Sequence, residues 1–392
     1  MALKNLVLFD NAVWEDLLPL SFTKPVSELR IGITTIREKW THYSKNVSWH
    51  TQDYLSAKYP QSLTNDNLFV NASLIPTSKV VDAIEGLGFG QGLTHNGRLQ
   101  AFRGKNFDYE LISSSENLKR FEGDIISIEH TWDIFEKNDE VLRIDFEQLT
   151  KGRNSASISK TNNVLAVENI FIEKGAKVEF ATINATEGPV YIGKDAVVME
   201  GALIQGPLAL CEHGTIKMGA KIYGATTIGP WCKAAGEVQN SVIMAYSNKG
   251  HDGYLGNAVL GEWCNIGADT NDSNLKNNYT KVKIWGYAQE RFVDTGLQFC
   301  GLVMGDHSKC GINTMFNTGT VVGVSANIFG SGFPRNFIPS FSWGGASGFS
   351  LYLLKKALET AEIVMARRKL ALTDDDRKIL KHVFDLTKKY RK

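Results

Sequence analysis

From residue 172 to 232 the chain returns to an aliphatic side chain about every six positions: Ile172, Val178, Val190 or Ile192, Val198, Ile204, Leu210, Ile216, Ile222 and Ile228. Small residues fall between them, and a glycine often follows the aliphatic one, as in Ile192-Gly-Lys-Asp-Ala-Val and Ile228-Gly-Pro-Trp-Cys-Lys. A six-residue beat cannot keep one face of a helix of 3.6 residues per turn, but it suits a coil of short strands that each turn one aliphatic side chain inward. The pattern predicts a parallel β-helix. After Ala234 the beat falters, returning at Leu260 and Ile266, and the gap holds the Gly-rich segment 248–257 with His251. Solenoids carry their chemistry on breaks and edges, which makes this segment a candidate site; a plain surface loop is the alternative.

Other patterns flank the coil. Residues 1–150 mix short apolar runs with polar stretches and predict an α/β domain, with strands at 6–9 and 68–70 and a helix near 34–43. Residues 151–164 read as a polar linker and 165–335 as the coil. The extension 336–392 turns helical. Ser350 is placed to cap a first helix from 351 to about 370, and Thr373 with Asp374, Asp375 and Asp376 opens a second whose basic end, 388–392, complements its dipole. Such helices would cap the open end of the coil or pack on a neighbour.

Composition narrows the field. At 392 residues the chain exceeds what one core holds, so two or three domains are expected. A net charge of +1 gives no electrostatic case for nucleic acid or an anionic membrane as partner. No apolar stretch reaches the length of a membrane span, and the first ten residues are too short and polar for a signal peptide, so a cytoplasmic location is expected. All five cysteines fall in the repeat region without a C-x-x-C pair, which favours buried thiols over disulfides or a zinc knuckle. His213, His251 and His307 lack partners at metal-ligand spacing.

The segment 247–274 sets His251, Tyr254, Gly256, Gly261, Asn265, Gly267, Ala268, Thr270 and Asn274 at fixed spacing. That spacing resembles the acetyltransferase site of the family of bifunctional N-acetylglucosamine-1-phosphate uridyltransferases/glucosamine-1-phosphate N-acetyltransferases. Residues 19–40 are similar to the compact variant of that family found in some bacteria and archaea. The resemblance implies a left-handed β-helix and a homotrimer. It also implies acetylation of a sugar 1-phosphate, glucosamine 1-phosphate above all, by acetyl-CoA. Nucleotidyl transfer from a nucleoside triphosphate (UTP or dTTP) with Mg²⁺ would then give UDP-N-acetylglucosamine or a related nucleotide sugar. His251 would be the base, since an imidazole titrating near pH ~6.5 is available neutral. Tyr254, Asn265, Asn274, Lys233 and Lys281 would hold the sugar phosphate, and Ala268 would let the pantetheine arm approach the coil.

The chain also departs from that pattern. Trp231-Cys-Lys233 leaves one cation where the family has an Arg-x-Arg pair, Leu275 stands where a tyrosine is usual, and Lys281 or Lys283 can replace the later lysine. In the N-terminal half, residues 10–16 hold no glycine-rich loop and residues 70–76 no acid. Lys24, Arg30 and Lys39 remain as phosphate-binding candidates, with ion pairs to Glu28 or Glu38 as the alternative for the last two. Asp10, Asp133 and Asn138 remain as metal or ribose ligands. Two other readings stay open: a monofunctional enzyme with one silent domain, and a non-catalytic nucleotide-sensing scaffold.

Overall fold

The computed structural model describes residues 3–391. The chain divides into two compact units: the first takes residues up to 17, 24–29 and 34–130, and the second takes 18–23, 30–33 and everything from 131 onward.

The first unit is built on a six-stranded sheet in the order Val47–His50, Asn5–Phe9, Asn67–Asn71, Arg98–Gly104, Gly92–His95, Leu118–Arg120. Asn5–Phe9 pairs in parallel with both neighbours and is buried along its whole length. A strand covered on both faces reads as an unbroken apolar run, which is why 6–9 shows no alternation. The expected helix is shorter than its pattern, Ile36–Thr41, because Thr35 and Glu38 close a reciprocal capping box at its start. Gly92–His95 and Arg98–Gly104 form a hairpin over Asn96-Gly97, both at positive φ (49° and 76°). Asn-Gly suits that two-residue turn.

The second unit contains the β-helix. Face one runs as nine parallel strands from Ile170–Ile172 to Phe337–Ile338. Face two starts at Lys177–Val178 and ends in the antiparallel pair Ser342–Gly345 and Gly348–Leu351. Face three runs from Asn163–Leu165 to Tyr254–Gly256. The six-residue beat supplies the interior: Ile172, Val178, Ile192, Val198, Ile204, Leu210, Ile216, Ile222 and Ile228 are all buried in one continuous core. All five cysteines are buried and free.

Several expectations change. The segment 248–257 does not leave the coil: Asn248–Lys249 and Tyr254–Gly256 are regular strands. The beat fails there because Lys249 occupies the inward place of an aliphatic residue, in register with Ala234 and Ile266. The larger interruption comes later, where the hairpin Lys283–Gly286/Arg291–Asp294 sits between coil strands. Trp285 of that hairpin stacks on Phe337 with centroids 4.3 Å apart. Ser350 is no helix cap. It lies in the terminal strand, its hydroxyl donating to the Trp343 carbonyl at 3.1 Å, and the first helix is Leu354–Ala366. Thr373 does cap Asp374–Leu386, reciprocally with Asp376. At the basic end Lys389 pairs with Glu290 of the hairpin.

The helix Asn138–Thr150 belongs with the second unit, so the division falls ahead of the polar segment at 151. Asn138 Nδ2 donates to the Ala225 carbonyl (2.8 Å) and to Thr227 Oγ1 (3.1 Å), while its Oδ1 accepts from Gly32 N (2.7 Å). Asp145 accepts from Ile33 N at 2.7 Å. Among the described residues no helix is long and apolar enough to cross a membrane.

Candidate active site

His251 stands exposed on the turn that carries the chain from Asn248–Lys249 on face two to Tyr254–Gly256 on face three. The turn lies directly on the next coil: Asp269 N donates to the Asp252 carbonyl at 3.0 Å. Gly253 has φ +111°, and a Cβ there would come within 2.1 Å of the Thr270 carbonyl oxygen, so only glycine allows this approach.

Beyond the turn, face three carries a polar network. Tyr254 Oη donates to Gln239 Oε1 (2.6 Å) and accepts from Asn274 Nδ2 (2.9 Å), which also donates to Asn257 Oδ1 (2.8 Å). Burial, then Asp272 and Tyr223, push the Tyr254 hydroxyl well above its usual range, so it stays a neutral hydrogen-bonding group. Beneath the network the buried Asp272 accepts from Gly256 N (2.9 Å) and Leu302 N (3.0 Å), and burial raises its carboxyl to about 7. Gln239 and Asn257 are not marked by the motif. Their place follows from coil register, since Gln239 pairs with Gly256 across face three.

The other expected residues lie apart from this corner. Asn265 is exposed on face two, in register with Asn248, which is in turn in register with Lys233. Lys233 is held below the usual lysine range by burial and by the nearby cations Arg368, Lys217 and Arg367. Lys281 is exposed in the interruption, its carbonyl accepting from Lys276 Nζ at 2.8 Å. Ala268 sits on the coil below His251, its carbonyl taking Asn313 N at 2.8 Å. An open groove of about 840 Å³ runs along this side, lined by Gly253, Asp269, Asn271, Asn313 and Met315 among others.

Of the N-terminal candidates, Asp10, Lys24 and Lys39 lie in the first unit and Arg30, Asp133 and Asn138 in the second. Lys24 is buried. Lys39 is also buried and donates to Thr34 O and Oγ1, both at 3.0 Å. Arg30 belongs to the second unit, where its guanidinium donates to the Ile33 carbonyl and approaches Cys211 Sγ (3.9 Å). Glu28 pairs with Arg37 at 2.6 Å, and Glu38 closes the capping box with Thr35. Asp10 is occupied by Val26 N (3.0 Å) and the Thr51 hydroxyl (2.6 Å), and burial lifts its carboxyl to about 7. Asp133 pairs with Lys137 at 3.2 Å. Among the described residues no group of three or more His, Cys, Asp or Glu could hold a metal ion.

The chain is thus an α/β unit followed by a parallel β-helix, with Tyr254, Asn274 and Gln239 hydrogen-bonded on face three of the coil. Residues 6–154 match the sugar nucleotidyl transferase family, so the chain carries a domain of that family. Two curated relatives are a bifunctional protein GlmU of Methanocaldococcus jannaschii and a bifunctional sugar-1-phosphate nucleotidylyltransferase/acetyltransferase of Sulfurisphaera tokodaii. The first is 32% identical over 30% of this chain and 26% of its own length; the second is 29% identical over 36% of each. The chain thus aligns with about a quarter to a third of these relatives. Among solved structures, the polySia specific acetyltransferase NeuO is similar at 12% identity and a TM-score of 0.27, over 49% of this chain and 82% of that one. The β-helix itself rests on the strand pairing described above.

Proposed function

We propose that the β-helix is an acetyl-CoA-dependent N-acetyltransferase for an amino-sugar 1-phosphate such as glucosamine 1-phosphate, working as a cytoplasmic homotrimer. The observation that supports this is the hydrogen bond between Tyr254 and Asn274 on face three, at the end of the turn that carries His251. The neutral imidazole of His251 takes the proton of the attacking amine as nitrogen bonds to the thioester carbonyl, and the carbon–sulfur bond breaks to release the coenzyme thiol. Tyr254 and Asn274 orient the sugar, and Asn265, Lys233 and Lys281 meet its phosphate. The groove beginning at Gly253, with Ala268 on its coil, takes the acyl donor.

The N-terminal domain would then transfer a nucleotidyl group from UTP or dTTP, with Mg²⁺ brought by the triphosphate. A second reading, in which this domain is silent or has another substrate, is favoured by the buried and locally engaged states of Lys39 and Asp10. Two assays on the purified chain separate them: thiol release from acetyl-CoA with glucosamine 1-phosphate, and pyrophosphate release from UTP or dTTP with N-acetylglucosamine 1-phosphate and Mg²⁺. Both signals are expected for the bifunctional enzyme, and thiol release alone selects the second reading. His251→Ala is expected to abolish thiol release and spare pyrophosphate release. Silence in both assays would leave the non-catalytic scaffold as the better account.

A further inference from the structure

The inward ladder of face two reads Val178, Val198, Ile216, Ala234, Lys249, Ile266 through successive coils. One of these positions is charged. Lys249 is 1% exposed, and a buried ammonium is unfavourable unless something answers it. Ala234 on the preceding coil is small and leaves the stem room. At its end Nζ donates to the carbonyl oxygen of His251 at 2.7 Å. Burial pulls Lys249 down to about 8, with Asp252, Asp272 and Asp269 acting the other way, so the group is still mostly charged at neutral pH.

The far half of the turn is tied to the neighbouring coils, the Asp252 carbonyl by Asp269 N (3.0 Å) and the Gly253 carbonyl by Glu237 N (3.1 Å), and the Lys249 bond extends that hold to the His251 carbonyl. Gly250 and Gly253 flank His251 and Asp252, and glycine gives a backbone more conformations to lose on ordering. Among the described residues no hydrogen bond or ion pair restrains the exposed His251 ring. A general base is commonly oriented through its second ring nitrogen. Here the available restraint acts on the backbone of the residue instead.

We propose that Lys249 is a positioning residue of the acyl-transfer site: its ammonium, anchored inside the coil, fixes the 250–253 turn through the His251 carbonyl and so sets where the imidazole stands. This rests on the reading of His251 as the base.

The test uses the full chain with Lys249→Met, which keeps the stem and loses the donor, and Lys249→Gln, which keeps a neutral donor. Hydrogen exchange by mass spectrometry reads the turn directly, without activity. In the Met variant exchange within 250–254 is expected to rise about tenfold or more at Tyr254, whose amide donates to Asn271 Oδ1 at 2.8 Å, with the remaining coil unchanged. Turnover in thiol release should fall about 30-fold while KM for acetyl-CoA stays within about threefold, and Gln should restore most of the loss. Unchanged exchange at 250–254 overturns the proposal. So does a coil-wide rise in exchange, or equal losses in both variants that follow thermal stability, since those mark a core residue only. If the Met variant does not fold, Lys249→Ile, the aliphatic residue found in register at Ile266, takes its place: a rise confined to 250–254 supports the proposal, and a uniform or absent rise overturns it. His251→Ala run alongside isolates the underlying reading, because retained thiol release there removes His251 as base without altering what the exchange says about Lys249.

Discussion

Tyr254 Oη links Gln239 to Asn274, and Asn274 reaches on to Asn257, so one hydroxyl ties together residues from three coil segments. Tyr254→Phe leaves the ring and removes this link. We expect kcat/KM for the sugar phosphate to fall about tenfold, with unfolding little changed, as steady-state kinetics and thermal melts would show; unchanged kinetics would take Tyr254 out of the site. Asp10 makes a prediction in pH. Its folded carboxyl titrates near 7 instead of 3.8 because of burial, so between those values the folded state binds the extra proton. Its contribution to stability is therefore favourable at low pH and is lost as pH rises through about 7, on the order of 3–4 kcal/mol across the window. Asn at this position can accept from Val26 N and donate to Thr51 Oγ1. Asp10→Asn should thus be clearly more stable than the parent at pH 8 and close to it near pH 4.5, by urea unfolding at the two pH values. Equal gaps at both would show that Asp10 is not held protonated. The meeting of Tyr254 and Asn274 was legible in the sequence because a motif of fixed spacing maps onto fixed coil positions. Arg30 was not, because its partners include Cys211, far along the chain, and no local pattern announces such a contact.

The coil's elements were legible for the same reason its glycines are informative. A Cβ added to Gly229 would meet the Met244 carbonyl oxygen at 1.5 Å, backbone of the next coil that has nowhere to move. Gly229→Ala should therefore cost about 2–3 kcal/mol or more, seen as a lowered urea midpoint, even though alanine is the smallest possible addition. A cost within about 0.5 kcal/mol would mean that the coils separate more readily than their register implies. Local signals served well where the partner is local: Thr373 and Asp376 are three residues apart and close the capping box that their order announces. They failed at Ser350, where pairing with 342–345 across a hairpin overrides a plausible helix start. The lapse in the beat at 249 follows the same logic. A lysine reads as surface in a sequence, and only the register with Ala234 and Ile266 shows that it points inward.

At the scale of the molecule, the three faces of the coil constrain how a complete site can form. Tyr254 lies on face three with Asn274 bound to it, whereas Asn265 lies on face two with an exposed side chain. Outward side chains on different faces of one coil diverge, so under the proposed function a sugar phosphate that touches both groups would sit with face two of one copy beside face three of another. Cyclic homo-oligomers bring unlike patches of neighbouring copies together in this way. Tyr254→Ala and Asn265→Ala should each be nearly inactive in thiol release when made alone. Co-expressed and purified together, they should regain activity, because some interfaces then receive the intact Tyr254 from one copy and the intact Asn265 from the next. Random assembly leaves on the order of a quarter of the interfaces intact, which sets the expected recovery. Recovery near that level, abolished when both substitutions sit in the same chain, supports a shared site. If the mixed assembly stays as inactive as its parts, Asn265 and Tyr254 serve the same copy or Asn265 serves none, and the phosphate contacts would have to be sought on face three alone.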